Sequence, residues 1–337
     1  MPSHFFSWNL PKPEKTAAVI RYGAFGDVLQ TASILPALKK QGFHITYFCT
    51  PRGVEVIEND PHIDRFVIQE EDAVPNHELR DYFKYLEKTY TKVINMCETV
   101  EGIILPGPDR AHFYWPKEAR HRICNQNYVE QQHLIAGVPY NTPEVRFYET
   151  KEEKAWALRE LPAGLLVAWV LTGSAAHKIW PHVDDVITDL LKNFPDITIA
   201  LLGGPKEQML EGDWDHPRVL RRVGRWPIRN VMAFAKQAEV VVGPETGVLN
   251  AMAMEDMAKV LLLSHSTVEN LSRDWVNTTS LAADDVSCYP CHQLHLTGWQ
   301  YCNRHPKGTA ACQYMIGPER VYEAIAKTLR EEKRKAA

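Results

Sequence analysis

The 337 residues contain no apolar run approaching the ~20 needed to cross a bilayer, so no membrane-spanning helix is expected. There is no surplus of positive charge either. The 38 Lys and Arg are outnumbered by 42 Asp and Glu, for a formal net charge of -4, whereas a general nucleic-acid binder carries the opposite balance. The opening residues, MPSHFFSWNLPKPEKT, lack the basic segment and apolar core of a secretory signal, which makes the cytoplasm the expected location. A dinucleotide fingerprint of the form G-x-G-x-x-G is missing, and so is the double CxxC of a zinc ribbon.

What the chain does have is a sustained alternation of short apolar segments and helical periodicity. AAVIR (17–21), HITYFC (44–49), RFVIQ (65–69) and KVINM (92–96) read as strands, with helices expected over 28–40, 52–58 and 77–89. Residues 106–132 read as irregular, aromatic and rich in His and Arg. The alternation restarts after about residue 150, with strands at 165–170, 197–204, 218–221, 239–243 and 259–263. Helices are expected near 182–193, 206–211 and 228–237, from 246, and over 318–335 after Pro318-Glu319. The pattern predicts two parallel α/β halves in tandem, joined near Glu149–Lys154, with ligands beyond the C-terminal strand ends.

Those strand ends carry the candidate chemistry. In VIRYGAFGDVLQTASILPAL, the glycines Gly23 and Gly26 precede Asp27 at a helix start. A carboxylate there either caps the helix or waits at a cleft to accept a proton. In LTGSAAHKIWP, Thr172, Gly173, Ser174 and Lys178 suit phosphate oxygens, although an isolated lysine is more often simply solvated. In VGPETGVLN, Thr246 and Gly247 open another helix whose free amides suit an anion. Two such turns in one half point to a diphosphate. Glu207, after Gly203-Gly204, suits a ribose diol or is an ordinary helix-start acid. Asp213-Trp214-Asp215 has the form D-x-D but follows no apolar strand, and is taken as a chance match.

Cys288, Cys291, Cys302 and Cys312 fall within 25 residues. Three readings stay open for them: a structural zinc site, free thiols, and disulfides, the last disfavoured in the cytoplasm. In each, the role is to fasten a long loop before the last helix. The loop Ala111–Tyr128 carries Lys117, Arg120 and Arg122 among aromatic rings. It suits a phosphorylated or acidic glycan acceptor, or is a structured surface loop.

Taken in order, IRYGAFGDVLQTASILPAL, TGSAAHKIWP, GGPKEQ, PETGVLNAMA and the CYPC…IGPERV ending resemble glycosyltransferase family 9, the heptosyltransferase family of lipopolysaccharide assembly. The resemblance covers nearly the whole chain. It implies an α/β protein of the GT-B fold, two Rossmann-like domains facing across a cleft. An acceptor domain would span 1–150, a donor domain 151–317, and a last helix at 318–337 would cross back onto the first domain. It implies inverting transfer of a heptose or similar sugar to a cell-surface glycan or glycolipid. No metal would be essential, and the donor would be a nucleotide-diphosphate sugar, ADP-linked by preference. Asp27 would then be the general base and Lys178 would stabilise the leaving diphosphate. Gly26, Thr172, Gly173, Ser174, Glu207, Glu245, Thr246, Gly247 and Asn250 would bind the donor. Lys117, Arg120 and Arg122 remain the acceptor candidates. A lipid-borne acceptor implies peripheral contact at the inner face of the inner membrane, and no nucleic-acid partner is expected.

Two positions depart from the family pattern. Glu245 stands where the family has Asp, and Asn250 where it has His. These substitutions motivate the rival readings, a nucleotide-sugar-binding protein of the same fold that has lost turnover or a sugar-nucleotide epimerase.

Overall fold

The computed structural model describes residues 14–141, 144–295 and 300–336. The N-terminal stretch read for a secretory signal lies mostly outside them. No helix among the described residues is long and apolar enough to cross a membrane.

The first half is built on four parallel strands, β1 (Thr16–Ile20), β2 (His44–Cys49), β3 (Arg65–Ile68) and β4 (Lys92–Asn95), in the order β3-β2-β1-β4. Its helices are α1 (Phe25–Ala32), α2 (Leu35–Lys40), α3 (Pro51–Ile57), α4 (Leu79–Thr89), α5 (Lys117–Cys124) and α6 (Tyr128–Ala136). The single helix expected over 28–40 is two, because Pro36 has no N–H to continue the ladder and its ring opposes the carbonyl four residues back. The stretch 106–132, expected to be irregular, contains α5 and the start of α6. The latter has readable ends: Asn127 accepts from the amides of Val129 and Glu130, and Gly137 closes it at φ 61°.

The second half follows α7 (Lys151–Glu160), which starts in a capping box between Thr150 and Glu153. Six parallel strands, β5 (Leu165–Val170), β6 (Ile197–Leu202), β7 (Val219–Arg221), β8 (Val240–Pro244), β9 (Ala258–Leu262) and β10 (Thr278–Leu281), lie in the order β10-β9-β8-β5-β6-β7. The strands β5, β6, β8 and β9 are buried on both faces because helices cover both. The covering helices are α8 (Val183–Asn193), α9 (Ile228–Ala235), α10 (Gly247–Ala251), α11 (Ala311–Tyr314) and α12 (Pro318–Ala336). β10 was not foreseen. It pairs with β9 at the sheet edge and alternates in exposure, and the sequence TTSL has little apolar signal.

The last helix corrects an expectation. α12 packs on the second half, where Val321, Ile325, Ala326 and Leu329 join one buried cluster with Ile187 and Leu190 of α8 and with Val260 and Leu262 of β9. Its outer end is tied there too, by Lys333 to Asp196 at 2.7 Å. The apolar stripe has its partner in the second sheet, so it does not return to the first half as the family resemblance implied.

The halves are joined instead by α10 against α1 and by Arg229 of α9. The Arg229 guanidinium is buried. It donates to the carbonyls of Glu55 and Tyr148 at 2.8 and 2.9 Å, pairs with Glu58 at 3.0 Å, and is held by both oxygens of Glu153. Removing one partner of such a group strands the others. Arg229→Met should therefore cost about 3 kcal/mol, read as a lower urea midpoint. An unchanged midpoint would show that this junction contributes nothing to stability.

Candidate functional site

A cleft of about 1290 Å³ opens between the C-terminal ends of the two sheets. On its first-half wall, Arg21 follows directly on β1 and the chain turns through Gly23 and Gly26 into α1. Asp27 is the third residue of that helix. Its Oδ2 accepts from the Ala24 amide at 2.9 Å, so it does cap the helix start. Its Oδ1 faces Arg21 Nη2 at 3.3 Å, and the side chain keeps 31% of its surface exposed toward the cleft. Capping and proton acceptance are thus compatible here, since each oxygen has a second lone pair.

The sequence reading missed the group that orients this carboxylate. Arg21 is 1% exposed, donates to the Met96 carbonyl at 2.9 Å, and grips Glu101 with Nη1 and Nη2 at 3.2 and 2.7 Å. Burial works against its charge, but Asp27 and Glu101 outweigh it and hold the guanidinium proton more firmly than usual. A basic residue ending an apolar strand was the available signal.

On the opposite wall, Lys178 reaches back to the Glu245 carbonyl at 2.8 Å. Burial lowers its pKa, while Glu245 and Asp27 act the other way. Gly173 makes room for this arm, for a Cβ there would sit 3.0 Å from Lys178 Cδ and 3.2 Å from the Glu245 carbonyl oxygen. Thr172 lines the cleft with a buried hydroxyl that has no partner among the described residues, and Ser174 lies beside it. Thr246 Oγ1 accepts from the Leu249 amide at 3.2 Å as the cap of α10. α10 is only five residues long, so its dipole adds little beside the Lys178 charge. Glu207 folds over the Gly203-Gly204 turn, with one buried oxygen lacking a partner among the described residues.

Three residues expected to touch the donor line the cleft and also hold its walls together. Glu245 is buried and accepts from Ser264 N and Oγ (3.0 and 2.8 Å), from the Ser266 hydroxyl and from His265 Nδ1 (2.9 Å). Burial alone would raise its pKa, but His265, Lys178 and these donors hold it well below the usual carboxylate range. The extra methylene relative to Asp serves that buried network. Asn250 donates to the Thr246 carbonyl at 2.8 Å and accepts from Gln30 Nε2 at 2.8 Å, which ties α10 to α1. Gly26 lets the two helices meet, since a Cβ on it would come within 3.1 Å of Asn250 Nδ2.

The acceptor candidates fall outside the cleft. Lys117 donates to the Ser287 carbonyl at 2.8 Å, and Arg120 is buried against the carbonyls of Cys291, Phe113 and Trp115. Neither these two nor Arg122 lines the cleft wall. They lie on α5, and the first two fasten it to the loop 287–291.

All seven cysteines are free thiols, so the disulfide reading does not hold. Burial, and then the neighbouring thiols, push Cys291 up to about 12; burial and Cys288 push Cys302 up to about 11. Among the described residues, no three His, Cys, Asp or Glu side chains are arranged to hold a metal ion, so a structural zinc is not shown. Cys302 and Cys312 pack with Ala283, Ala310 and Tyr289 as small apolar groups.

No protein-family model matches the sequence, and no curated protein is detectably similar. Solved structures are. A glycosyl transferase family 9 protein from Veillonella parvula superposes with a TM-score of 0.69 at 15% identity, over 96% of this chain and 99% of that one. ADP-heptose lps heptosyltransferase II of E. coli gives 0.67 at 13% identity, over 95% and 99%. E. coli heptosyltransferase WaaC with ADP gives 0.53 at 13%, over 94% and 98%. The likeness establishes the GT-B fold over nearly the full length.

Behind the Lys178 turn, His177 shares a hydrogen bond with His265 at 3.2 Å, and His121 shares one with His292 at 3.0 Å. Burial, reinforced by the neighbouring rings, lowers His177 to about 2, His292 to about 3 and His295 to about 4. These rings stay neutral when folded but take up protons near pH 6.5 when unfolded. Stability should therefore fall as pH drops below about 6.5, by on the order of 2 kcal/mol for each withheld ring at pH 5. Melting temperature against pH checks this. His177→Gln should flatten the slope, and a flat wild-type profile from pH 7 to 5 would refute it.

Proposed function

We propose that this protein moves a heptose or similar sugar from a nucleoside-diphosphate donor, ADP-linked by preference, to a hydroxyl of a glycan or glycolipid. The transfer inverts the anomeric carbon, needs no metal ion and takes place in the cytoplasm. One observation carries the reading: Asp27 on one wall of the cleft faces Thr172, Ser174, Lys178 and Thr246 on the other. Inversion requires that separation, because the nucleophile attacks opposite the departing diphosphate.

As the acceptor oxygen closes on the anomeric carbon, its proton passes to the Asp27 carboxylate. The bond from that carbon to the diphosphate oxygen breaks, and the diphosphate leaves with the electron pair. Lys178 sits where the leaving charge grows and supplies the compensating positive charge. The Thr172 hydroxyl, without a partner among the described residues, can donate to a phosphate oxygen, and the Glu207 carboxylate at the cleft can accept from the ribose. Glu245 and Asn250 stiffen this wall through their own hydrogen bonds, so their departure from the family pattern does not count against turnover.

Asp27→Asn keeps an oxygen for the Ala24 amide and so spares the helix cap. It should lower transfer, or slow donor hydrolysis, by about 10²-fold or more while nucleotide binding persists. Lys178→Met should weaken nucleotide binding itself. A thermal-shift panel of ADP-, GDP-, UDP- and CMP-sugars identifies the donor, since a ligand at 100 times its Kd adds about 2.7 kcal/mol. Full activity in Asp27→Asn would sink the mechanism, and a flat panel would favour the reading without turnover.

A further inference from the structure

Among the described residues, Lys178 is the one Lys or Arg that the second half contributes to the cleft wall. A leaving diphosphate carries more negative charge than one lysine balances, and α10 is too short for its dipole to make up the difference. We infer that Arg52, from the first half, is the second cation on the donor, bound to the phosphate nearer the sugar, so that the leaving group is held from both walls of the cleft. The inference rests on the transferase reading for the donor, and on the placement of Arg52 for the residue.

The cleft is lined by Arg21, Arg52, Arg110 and Lys178, and three of these cations are engaged within the protein. Arg21 lies between Asp27 and Glu101. Arg110 lies between Asp109, at 3.1 Å, and Glu98. Lys178 donates to the Glu245 carbonyl. Arg52 is exposed and has neither an ion pair nor a hydrogen bond to another described residue. It does not build the helix it sits on either, for Thr50 caps α3 by accepting from the Gly53 amide at 3.0 Å, and Pro51 opens it. As the second residue of α3, Arg52 stands at the end where the helix dipole disfavours a cation. A charge placed against a local rule, with no partner in the protein, is what a ligand-binding group shows.

Its location selects the diphosphate as that ligand. The Arg52 guanidinium lies over the Phe25 ring, 4.4 Å from the centroid. Phe25 opens α1, two residues before Asp27, and packs so closely on α10 that a Cβ on Gly247 would lie 2.7 Å from Phe25 Cβ. One ring therefore anchors Arg52 at the junction of the Asp27 turn and the Thr246-Gly247 turn. Further along, α3 faces α9 of the second half, where Arg229 meets Glu55 and Glu58. The carboxylates Glu98, Glu101 and Asp109 follow β4, which lies on the far side of β1 from β2 and α3. Stacking occupies a face of the guanidinium and leaves its N–H edge, whose fork suits two oxygens of one phosphate.

The test measures ADP, GDP and UDP by calorimetry, each beside its monophosphate, on wild type, Arg52→Gln and Arg52→Lys, with the fold checked by circular dichroism. Wild type should prefer at least one diphosphate over its monophosphate. That preference should fall about tenfold or more in Arg52→Gln, the worth of a hydrogen bond between charged groups. Arg52→Lys, which keeps the charge but not the fork, should recover part of it. The fall of diphosphate affinity with added salt should be shallower in Arg52→Gln. The rate of transfer, or of slow donor hydrolysis, should follow the same order, because the charge on the leaving group grows as the bond breaks. A diphosphate preference unchanged in Arg52→Gln, or an equal loss for the monophosphate, overturns the inference and leaves the transferase reading standing. A wild type that binds none of these nucleotides overturns both.

Discussion

The site depends on the direct approach of α1 to α10. These helices belong to different halves, and each starts at a strand end that lines the cleft. Gly26 and Gly247 make the approach possible: a Cβ on Gly247 would lie 2.7 Å from Phe25 Cβ, too close for any real side chain. The buried hydrogen bond from Gln30 to Asn250 then fixes the register. Through this junction the turn that carries Asp27 and the turns that carry Thr246 and Lys178 are held as one unit. The geometry of proton acceptance and that of anion binding are therefore set by the same contact. Arg229 plays a similar part at α3, α7 and α9, away from the chemistry.

Around that junction the electrostatics fall into two layers. Lining the cleft are residues with unused capacity: Asp27 with its exposed part, Lys178 with its ammonium, Thr172 and Glu207. Behind them are groups whose capacity is taken up within the protein. Arg21 is shared between two carboxylates, and Glu245 is surrounded by Ser264, His265 and Ser266. This backing layer removes freedom from the groups in front. A carboxylate aimed by a buried guanidinium, or a lysine pinned to a backbone carbonyl, loses little on meeting a ligand.

Much of the architecture was legible because parallel α/β folds write themselves in local pattern. The apolar runs at LLVAWV and ITIALL are continuous where both sheet faces are covered, and glycines and hydroxyl residues mark the strand ends. The readings that failed needed information from outside their own segment. α12 carries an amphipathic stripe that says it packs on something, and only the folded chain shows that the partner is α8 with β8 and β9. Lys117 and Arg120 have the composition of an anion site, yet carbonyls of a loop some 170 residues away take up their donors.

The sequence by itself determined the two α/β halves, the strand ends where ligands bind, and the residue types Asp27, Thr172, Lys178, Glu207 and Thr246 at those ends. These follow from periodicity and turn chemistry, which act over a few residues. Only the tertiary structure decided which of the polar candidates remain free. Whether Glu245, Asn250 or Arg120 meets a ligand depends on which donors and acceptors lie within hydrogen-bond reach of it after folding, and those come from distant parts of the chain.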